Sequence, residues 1–286
     1  MCGIAGFVND MPIDVKCPVL QRMTDMIAHR GPDSEGHYID EHAALGHRRL
    51  SIIDLGGGQQ PIYNEDGSKV ITFNGEIYNY QTLREELIAA GHTFTTKSDT
   101  EVLLHGYEQW GVDLLQRVRG MFTFVIWDKN KQELFGARDH FGIKPFYYAK
   151  MNGTFMYASE IKSLLRHPDF VKELNAEALK PYMTFQYPAI GETFFKGVYK
   201  LPEGHYFTYR DGKMDIHRYY DEDFREGKQK LGELVNSIDQ TVCDSVKAHQ
   251  IADVEVGSFL SSGVDSSYVA AVARPQHTYS IGFGKG

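Results

Sequence analysis

The second residue of this 286-residue chain is a cysteine, set directly behind Met1 in the run Met1-Cys2-Gly3-Ile4. Aminopeptidases generally remove an initiator methionine when the next side chain is small. Cys2 would then carry both a thiol and a free α-amine. These groups ordinarily titrate at about 8.5 and about 8, so the amine can act as base for the thiol of its own residue. A residue holding nucleophile and base together needs only fixed oxyanion donors and a substrate pocket to attack an amide. The competing description is packing, because a free cysteine is a small hydrophobe suited to the start of a buried strand. Taken alone, Cys2 fits both.

A second stretch with chemistry in it is Val256-Gly257-Ser258-Phe259-Leu260-Ser261-Ser262-Gly263-Val264-Asp265-Ser266-Ser267. It reads as a strand, a small-residue turn and a helix start. Exposed N–H groups at a helix N-terminus attract anions, and Ser261 and Ser266 add hydroxyl donors. No Gly-Lys-Ser/Thr follows, which excludes a Walker A loop. An ordinary serine-capped strand-to-helix turn has the same pattern. The 12 histidines show no H-E-x-x-H spacing, and Cys2, Cys17 and Cys243 match no zinc ligand pattern, so no metal site is expected. Cys17 and Cys243 fall in helical patterns and read as packing residues.

Positioning these residues requires a folded scaffold, and the composition supplies one. Apolar residues make up 42% and charged residues 24%, ordinary globular values, and the length suits about two domains. Thirty Lys and Arg against 38 Asp and Glu give a net charge of -8, with no global attraction for nucleic-acid phosphate or anionic lipid. The longest apolar run, Met121 to Trp127, is far short of the roughly 20 residues of a membrane helix. The N-terminus lacks the basic region of a signal peptide, and cysteine is too scarce for a disulfide scaffold. The expectation is a cytoplasmic protein with neither nucleic acid nor membrane as partner. A homodimer is compatible with the sequence but not indicated by it.

The first 220 residues read mainly as short strands with a few helices between them. Cys2 to Val8 is a buried strand. Pro18 to His29 carries Leu20, Met23, Met26 and Ile27 on one helical face and stops before Arg30-Gly31-Pro32-Asp33. Gln60 to Phe73 reads as a hairpin closed by Asp66-Gly67. A helix with Leu83, Leu87 and Ile88 ends at Gly91. Ser98-x-x-Glu101 is a capping box opening a helix. Met121 to Trp127 pairs with Gln132 to Ala137, Phe146 to Ser159 is a hairpin through Asn152-Gly153, and more strands run from Phe194 to Tyr209. Residues 221–229 read as a linker. From 230 the grammar changes: an amphipathic helix with Leu231, Leu234, Val235, Ile238, Val242 and Val246, a strand from Glu255 to Leu260, a helix from Asp265 to Ala273, and a strand from Thr278 to Phe283. That order signals a parallel α/β sheet. Two strands cannot fill such a sheet, so residues 230–286 read as a partial domain.

Cys2-Gly3-Ile4, His29-Arg30-Gly31-Pro32-Asp33, His47-x-Arg49-Leu50-Ser51-Ile52, Asn74-Gly75-Glu76-Ile77-Tyr78-Asn79, Ser98-Asp99 and Arg138-Asp139-His140-x-Gly142-Ile143-Lys144-Pro145 occur in this order. Together they closely resemble the glutaminase domain of the glutamine-hydrolysing asparagine synthetases, class II glutamine amidotransferases. The resemblance covers residues 2–220. It implies an α+β fold, the four-layer αββα Ntn-hydrolase sandwich, followed by the incomplete start of the parallel α/β domain.

The resemblance also implies roles. Cys2 would attack the side-chain amide of glutamine and become a glutamyl thioester. Asn74, through its side-chain amide, and Gly75, through its N–H, would form the oxyanion hole; on dipeptide grounds alone Asn-Gly is equally a hairpin turn. Arg49 would bind the glutamine α-carboxylate as a bidentate fork, and Arg48 reads as a solvated charge. Asp99 would accept the α-ammonium, with helix capping as a second role it can hold at once, and Glu76 would border the same amine. Arg30 and Arg138 read as braces. Residues 256–267 resemble the S-G-G-x-D-S pyrophosphate loop of ATP pyrophosphatases. By that likeness Ser261, Gly263, Asp265 and Ser266 would hold ATP phosphates, Asp265 through magnesium, and Leu260 and Ile281 would cover the adenine. Ser262 stands where the pattern usually has Gly. The implied whole reaction uses glutamine, aspartate, ATP and Mg²⁺, with ammonia amidating aspartyl-AMP. The glutaminase half needs no cofactor, and this chain is expected to keep that half alone. Two rivals remain: a sibling amidotransferase with another adenylated carboxylate as acceptor, and a catalytically silent regulatory module of the same fold.

Overall fold

The computed structural model describes residues 1–187 and 191–282. Its contacts divide the chain into two units, Met1–Asp221 and Glu222–Gly286. In the first unit the elements run β1 (Gly3–Val8), α1 (Ile13–Asp25), β2 (Ser34–Ile39), β3 (Ala43–Arg49), β4 (Ile62–Tyr63), β5 (Lys69–Ile77), α2 (Tyr80–Ala89), α3 (Asp99–Trp110), β6 (Gly120–Asp128), β7 (Glu133–Arg138), β8 (Tyr147–Met151), β9 (Thr154–Ala158), α4 (Ile161–Leu164), α5 (Leu179–Phe185), β10 (Val198–Lys200), β11 (His205–Arg210) and β12 (Lys213–Arg218).

These strands form two six-stranded antiparallel sheets, β10-β8-β9-β1-β3-β2 and β12-β11-β7-β6-β5-β4. The alternation of side chains along each strand builds the layers. Ile4, Leu45, Val125, Trp127, Phe146, Phe155, Tyr157 and Phe207 meet between the sheets. Ala5, Phe7, Ala44 and Met156 face outward onto Val19, Leu20 and Met23 of α1 and Leu164 of α4. Phe73, Phe122, Phe124 and Ile126 face the other way, onto Leu83 and Leu87 of α2 and Val102, Leu103 and Tyr107 of α3. Helix, sheet, sheet, helix is the expected four-layer sandwich. Burying each such large side chain stabilises the fold by roughly 1.5–3 kcal/mol.

Several elements differ from the sequence reading. The first helix begins earlier, at Ile13, with Pro18 inside it. Its start is set by the Pro12 carbonyl, which accepts from Val15 and Lys16. The buried Val19, Leu20 and Met23 hold it on the sheet despite the lost proline N–H. Residues 28–30 form a separate turn of 3-10 helix. Ser98 caps α3, its hydroxyl accepting from Thr100 N–H at 3.1 Å, but Glu101 bonds the N–H groups of Thr95 and Thr96 rather than closing a capping box. The Asn74-Gly75 pair sits in the interior of β5 opposite Thr123 and Phe122, so it is no hairpin turn.

In the second unit α6 (Leu231–Ala248) is followed by β13 (Ser258–Phe259), α7 (Val264–Ala273) and β14 (Thr278–Tyr279). The two strands pair in parallel, Ser258 with Thr278 and Phe259 with Tyr279. Pairing covers two residues on each strand rather than the six expected, and the expected end at Phe283 lies outside the described residues. No described residue of this unit is fully buried, so little packing extends the ladder. Leu231, Val235 and Ile238, the apolar face of α6, are more than half exposed.

Candidate active site

Seven segments of the first unit converge on one cavity of about 200 Å³: the residues before β1, the end of β3, the loop that follows it as far as Gln60, the second half of β5, the first turn of α3, the start of β6 at Met121, and the loop after β7. Cys2, Arg49, Asn74, Gly75, Glu76 and Asp99 all line it. Residues 97 positions apart in sequence therefore face one space because β1 and β3 pair in one sheet and β5 lies in the sheet packed against it.

Cys2 enters just before β1 pairs with β3, where Gly3 stands opposite Arg48. Its Sγ lies 3.4 Å from the Leu50 N–H and 3.5 Å from the Leu50 carbonyl. Arg30 Nε donates to the Cys2 carbonyl at 2.9 Å and its NH1 reaches Glu160 at 3.2 Å. Burial pushes the thiol above its ordinary pKa. Met1 lies at the same cavity, and burial lowers its amine. Lys144 Nζ approaches the Met1 sulfur at 3.2 Å.

β5 forms the facing wall. Asn74 is 1% exposed, and among the described residues neither its Oδ1 nor its Nδ2 has a hydrogen-bond partner. A buried amide with both ends unpaired costs about 1–3 kcal/mol unless a ligand satisfies it. Gly75 stands opposite Phe122. The Asp139 N–H donates to the Phe122 carbonyl at 2.8 Å, and the Phe122 N–H donates to the Asp139 carboxylate at 3.2 Å. Phe122 thus turns both polar groups away from β5, which makes Gly75–Phe122 a non-hydrogen-bonded pair, and the Gly75 N–H points to the other edge of the strand. Along that edge the Phe73 N–H is taken by Gln60 Oε1 at 2.6 Å and the Ile77 N–H by Asp99 Oδ2 at 3.0 Å. The Gly75 N–H lies between them. β4 pairs only Ile62 and Tyr63 with Ile71 and Val70, so no strand covers this part of the edge. Any side chain at Gly75 would collide: a Cβ there lies 2.2 Å from the Met121 carbonyl and 2.7 Å from Phe122 Cα.

Arg49 is 5% exposed and donates to the carbonyls of Ile53 at 3.1 Å and Asp54 at 2.6 Å. Among the described residues no carboxylate pairs with it, so its charge stays available to an anion in the cavity. Arg48 is instead an ion-pairing residue, with Asp25 and Glu35. In the same cavity, burial and the nearby Asp99 raise the Glu76 carboxyl to about 7, and burial raises Asp99 to about 6. Lys144 is 3% exposed and its charge opposes part of the Glu76 shift. The cavity thus offers the buried Arg49 guanidinium together with the Glu76 and Asp99 carboxylates, the opposite charges that an amino acid's carboxylate and ammonium require.

The loop carrying Lys144 is held by residues that do not touch the cavity. Asp139 accepts from the N–H groups of Ile143 at 2.9 Å and Lys144 at 3.0 Å. Arg138 donates to the carbonyls of Lys144 at 2.7 Å and Leu201 at 2.6 Å. Arg138 is a brace, as expected, and Arg30 braces Cys2. His47 donates from Nε2 to the Phe73 carbonyl at 2.9 Å, tying β3 to β5 below the pocket. Lys144 and Gln60 were not singled out in the sequence. Lys144 lies in a quoted motif, which was the available signal; Gln60 had none.

In the second unit the turn after β13 closes on itself: the Ser261 N–H donates to Ser266 Oγ at 3.2 Å, and the two hydroxyls lie 3.0 Å apart. Gly263 caps α7 and Asp265 stands in its first turn. Ser280 Oγ donates to the Leu260 carbonyl at 2.6 Å, which brings the segment of Ile281 beside Leu260. Ser262 has φ of +65°, the left-handed region that costs a non-glycine residue about 1–2 kcal/mol.

Comparison with known proteins follows this division. The family described as glutamine amidotransferase domain matches residues 1–220, and the family described as asparagine synthase matches residues 237–286. The chain is 45% identical to asparagine synthetase [glutamine-hydrolyzing] 1 of Bacillus subtilis (strain 168), over 99% of this chain and 46% of that protein. It is 35% identical to the amidase chry2 of Gibberella zeae, over 95% of this chain and 42% of that protein. It spans about half the length of the curated relatives it matches. Among solved structures, the glutamine phosphoribosylpyrophosphate amidotransferase of B. subtilis superposes with a TM-score of 0.57 at 17% identity, covering 96% of this chain and 64% of that one. That likeness extends the shared architecture to a distant sequence.

Proposed function

The chain belongs to the glutamine amidotransferase family, and from that premise we propose that its first unit hydrolyses glutamine at Cys2. Loss of Met1 frees the Cys2 amine, which takes the thiol proton as Sγ attacks the side-chain amide carbon. The resulting oxyanion sits between Asn74 Nδ2 and the Gly75 N–H. The protonated amine gives its proton to the leaving ammonia, and water then releases glutamate from the thioester. Arg49 holds the α-carboxylate, and Asp99 with Glu76 hold the α-ammonium. The observation that carries this reading is the buried Asn74 amide, unpaired at both ends beside the cysteine. The test is glutamate and ammonia release from glutamine. Cys2→Ala should abolish both while leaving the thermal melt unchanged, and Cys17→Ala, at an exposed helical cysteine, should change neither. Substantial turnover by Cys2→Ala would remove the proposal.

For the whole protein we propose glutamine-dependent asparagine synthesis, with aspartate, ATP and Mg²⁺ as the remaining reactants. The asparagine synthase match at residues 237–286 supports it, as do the relatives' names. The small-residue turn with its paired serines and Asp265 at a helix N-terminus suits a polyphosphate. ATP would activate the acceptor carboxylate by adenylation. Leu260, Ser261, Gly263, Asp265, Ser266 and Ile281 are the residues that would hold it. Among the described residues no helix is long and apolar enough to cross a membrane; a cytoplasmic location is part of the proposal. Ammonia incorporation by the full-length protein, measured with and without aspartate, separates this reading from that of a sibling amidotransferase with another acceptor.

A further inference from the structure

Away from the glutaminase cavity, the fold gathers Glu65, His92, His105 and Glu108 so that one donor atom of each lies within 4.8 Å of the others. The four come from three separate segments: the turn between β4 and β5, the chain after α2, and successive turns of α3. We propose that these residues form a binding site for a first-row divalent transition metal, for which Zn²⁺ is the fitting probe.

Three observations carry the proposal. The spacing suits one small cation. His92 Nδ1 is 3.4 Å from Glu65 Oε1, His105 Nδ1 is 3.4 Å from Glu65 Oε2, and His105 Nδ1 is 3.1 Å from Glu108 Oε2. Donors about 2.0–2.2 Å from a tetrahedral Zn²⁺ stand roughly 3.3–3.6 Å apart. The donor set is selective, since two imidazoles with two carboxylates favour transition metals over Mg²⁺ or Ca²⁺. Each ligand is also oriented from behind. His92 Nε2 meets Gln109 Oε1 at 3.2 Å, and the buried His105 Nε2 faces Glu101 Oε1 at 3.6 Å with no hydrogen-bond partner among the described residues. Glu108 Oε1 accepts from Asn64 at 2.7 Å, and Glu65 Oε1 from the Thr93 N–H at 3.1 Å. With Nε2 protonated toward those acceptors, both Nδ1 lone pairs point into the cluster, the arrangement that second-shell partners impose on metal histidines. Glu65 borders an open groove of about 630 Å³, which gives an ion a way in.

The test uses the whole chain, stripped with a chelator and titrated with Zn²⁺ and with Co²⁺. The expected result is one equivalent of Zn²⁺ per chain, a tetrahedral Co²⁺ absorption spectrum without thiolate bands, and a raised Tm. His92→Ala and Glu65→Gln, at positions that leave the core intact, should each abolish that equivalent. Gln109→Ala should weaken it by about 10–100-fold. The glutaminase rate should stay unchanged in all three. Failure to saturate, an octahedral cobalt spectrum, or equal binding by His92→Ala would each overturn the assignment, the last by placing the ion at other histidines.

Discussion

Asn74 and Arg49 line one cavity but should fail in different ways. In the mechanism proposed above, Asn74→Ala removes a donor needed only when the oxyanion forms, so kcat should fall by about 10²–10³ with little change in KM. With Arg49 on the α-carboxylate as proposed, Arg49→Ala removes a contact that is alike in ground and transition states, so KM should rise most. Steady-state kinetics separates the two; a pure KM effect of Asn74→Ala would refute the oxyanion role. The acidic pair makes a pH prediction. Burial raises Glu76 to about 7 and Asp99 to about 6, so both gain protons as pH falls through that range and lose their hold on an ammonium. kcat/KM for glutamine should therefore drop on the acid side between about 7 and 6, a limb that Glu76→Gln should shift downward. The sign for stability is opposite: acids with raised folded pKa values destabilise the empty protein as pH rises from about 4 toward 7. At this scale the sequence was most readable. Cys2, Asn74, Gly75, Arg49, Glu76 and Asp99 lie in short motifs, and the cavity contains them all. Lys144 lies in the Arg138–Pro145 motif, but its place on the cavity wall depends on how Asp139 folds the loop around its own carboxylate.

At the scale of elements, Gly75 is held to glycine by the strand next door rather than by its own dihedral angles. Gly75→Ala sets a methyl 2.2 Å from the Met121 carbonyl and must push β5 off β6. We expect a stability loss of roughly 1–3 kcal/mol together with loss of glutaminase activity, whereas Asn74→Ala should lose activity at nearly unchanged Tm. Thermal melts of the two variants side by side check this. Element identity was legible wherever one face is apolar and one turn residue is decisive, as in the Asn152-Gly153 hairpin, both of whose residues have positive φ. It failed at β2 and β3. Ser34–Ile39 carries few apolar residues, and its pairing partner Ala43–Arg49 is small and basic. It failed again at the first helix, which begins at Ile13 rather than Pro18 because packing carries the helix through the proline.

For the molecule as a whole, the sequence changes pattern near residue 221, and the contacts of the structure divide the chain into Met1–Asp221 and Glu222–Gly286. The four-residue cluster at Glu65, His92, His105 and Glu108 was not legible in the sequence, since its members are up to 43 positions apart and only the packing of three segments joins them. The second unit has no fully buried residue among those described, so we expect low hydrogen-exchange protection after about Asp221 in the isolated chain. Supplied with glutamine, aspartate, ATP and Mg²⁺, this chain should release glutamate without forming asparagine. Measuring glutamate, AMP and asparagine separately decides it, and asparagine from these residues alone would show that the small second unit suffices.

The two-residue length of β4 sets a limit on how this domain can be improved. Continued in register, β4 would put Gln60 opposite Phe73 and Gly58 opposite Gly75, and its carbonyls would take up the N–H groups of that edge. Such a strand would make a better sheet and a dead enzyme. Selection for thermal robustness by lengthening or regularising residues 58–61 should therefore yield stable, inactive variants, a local form of the stability–activity trade-off. Stabilising changes should be sought at the opposite sheet edge, around β12, where an added ladder bond takes nothing from the substrate.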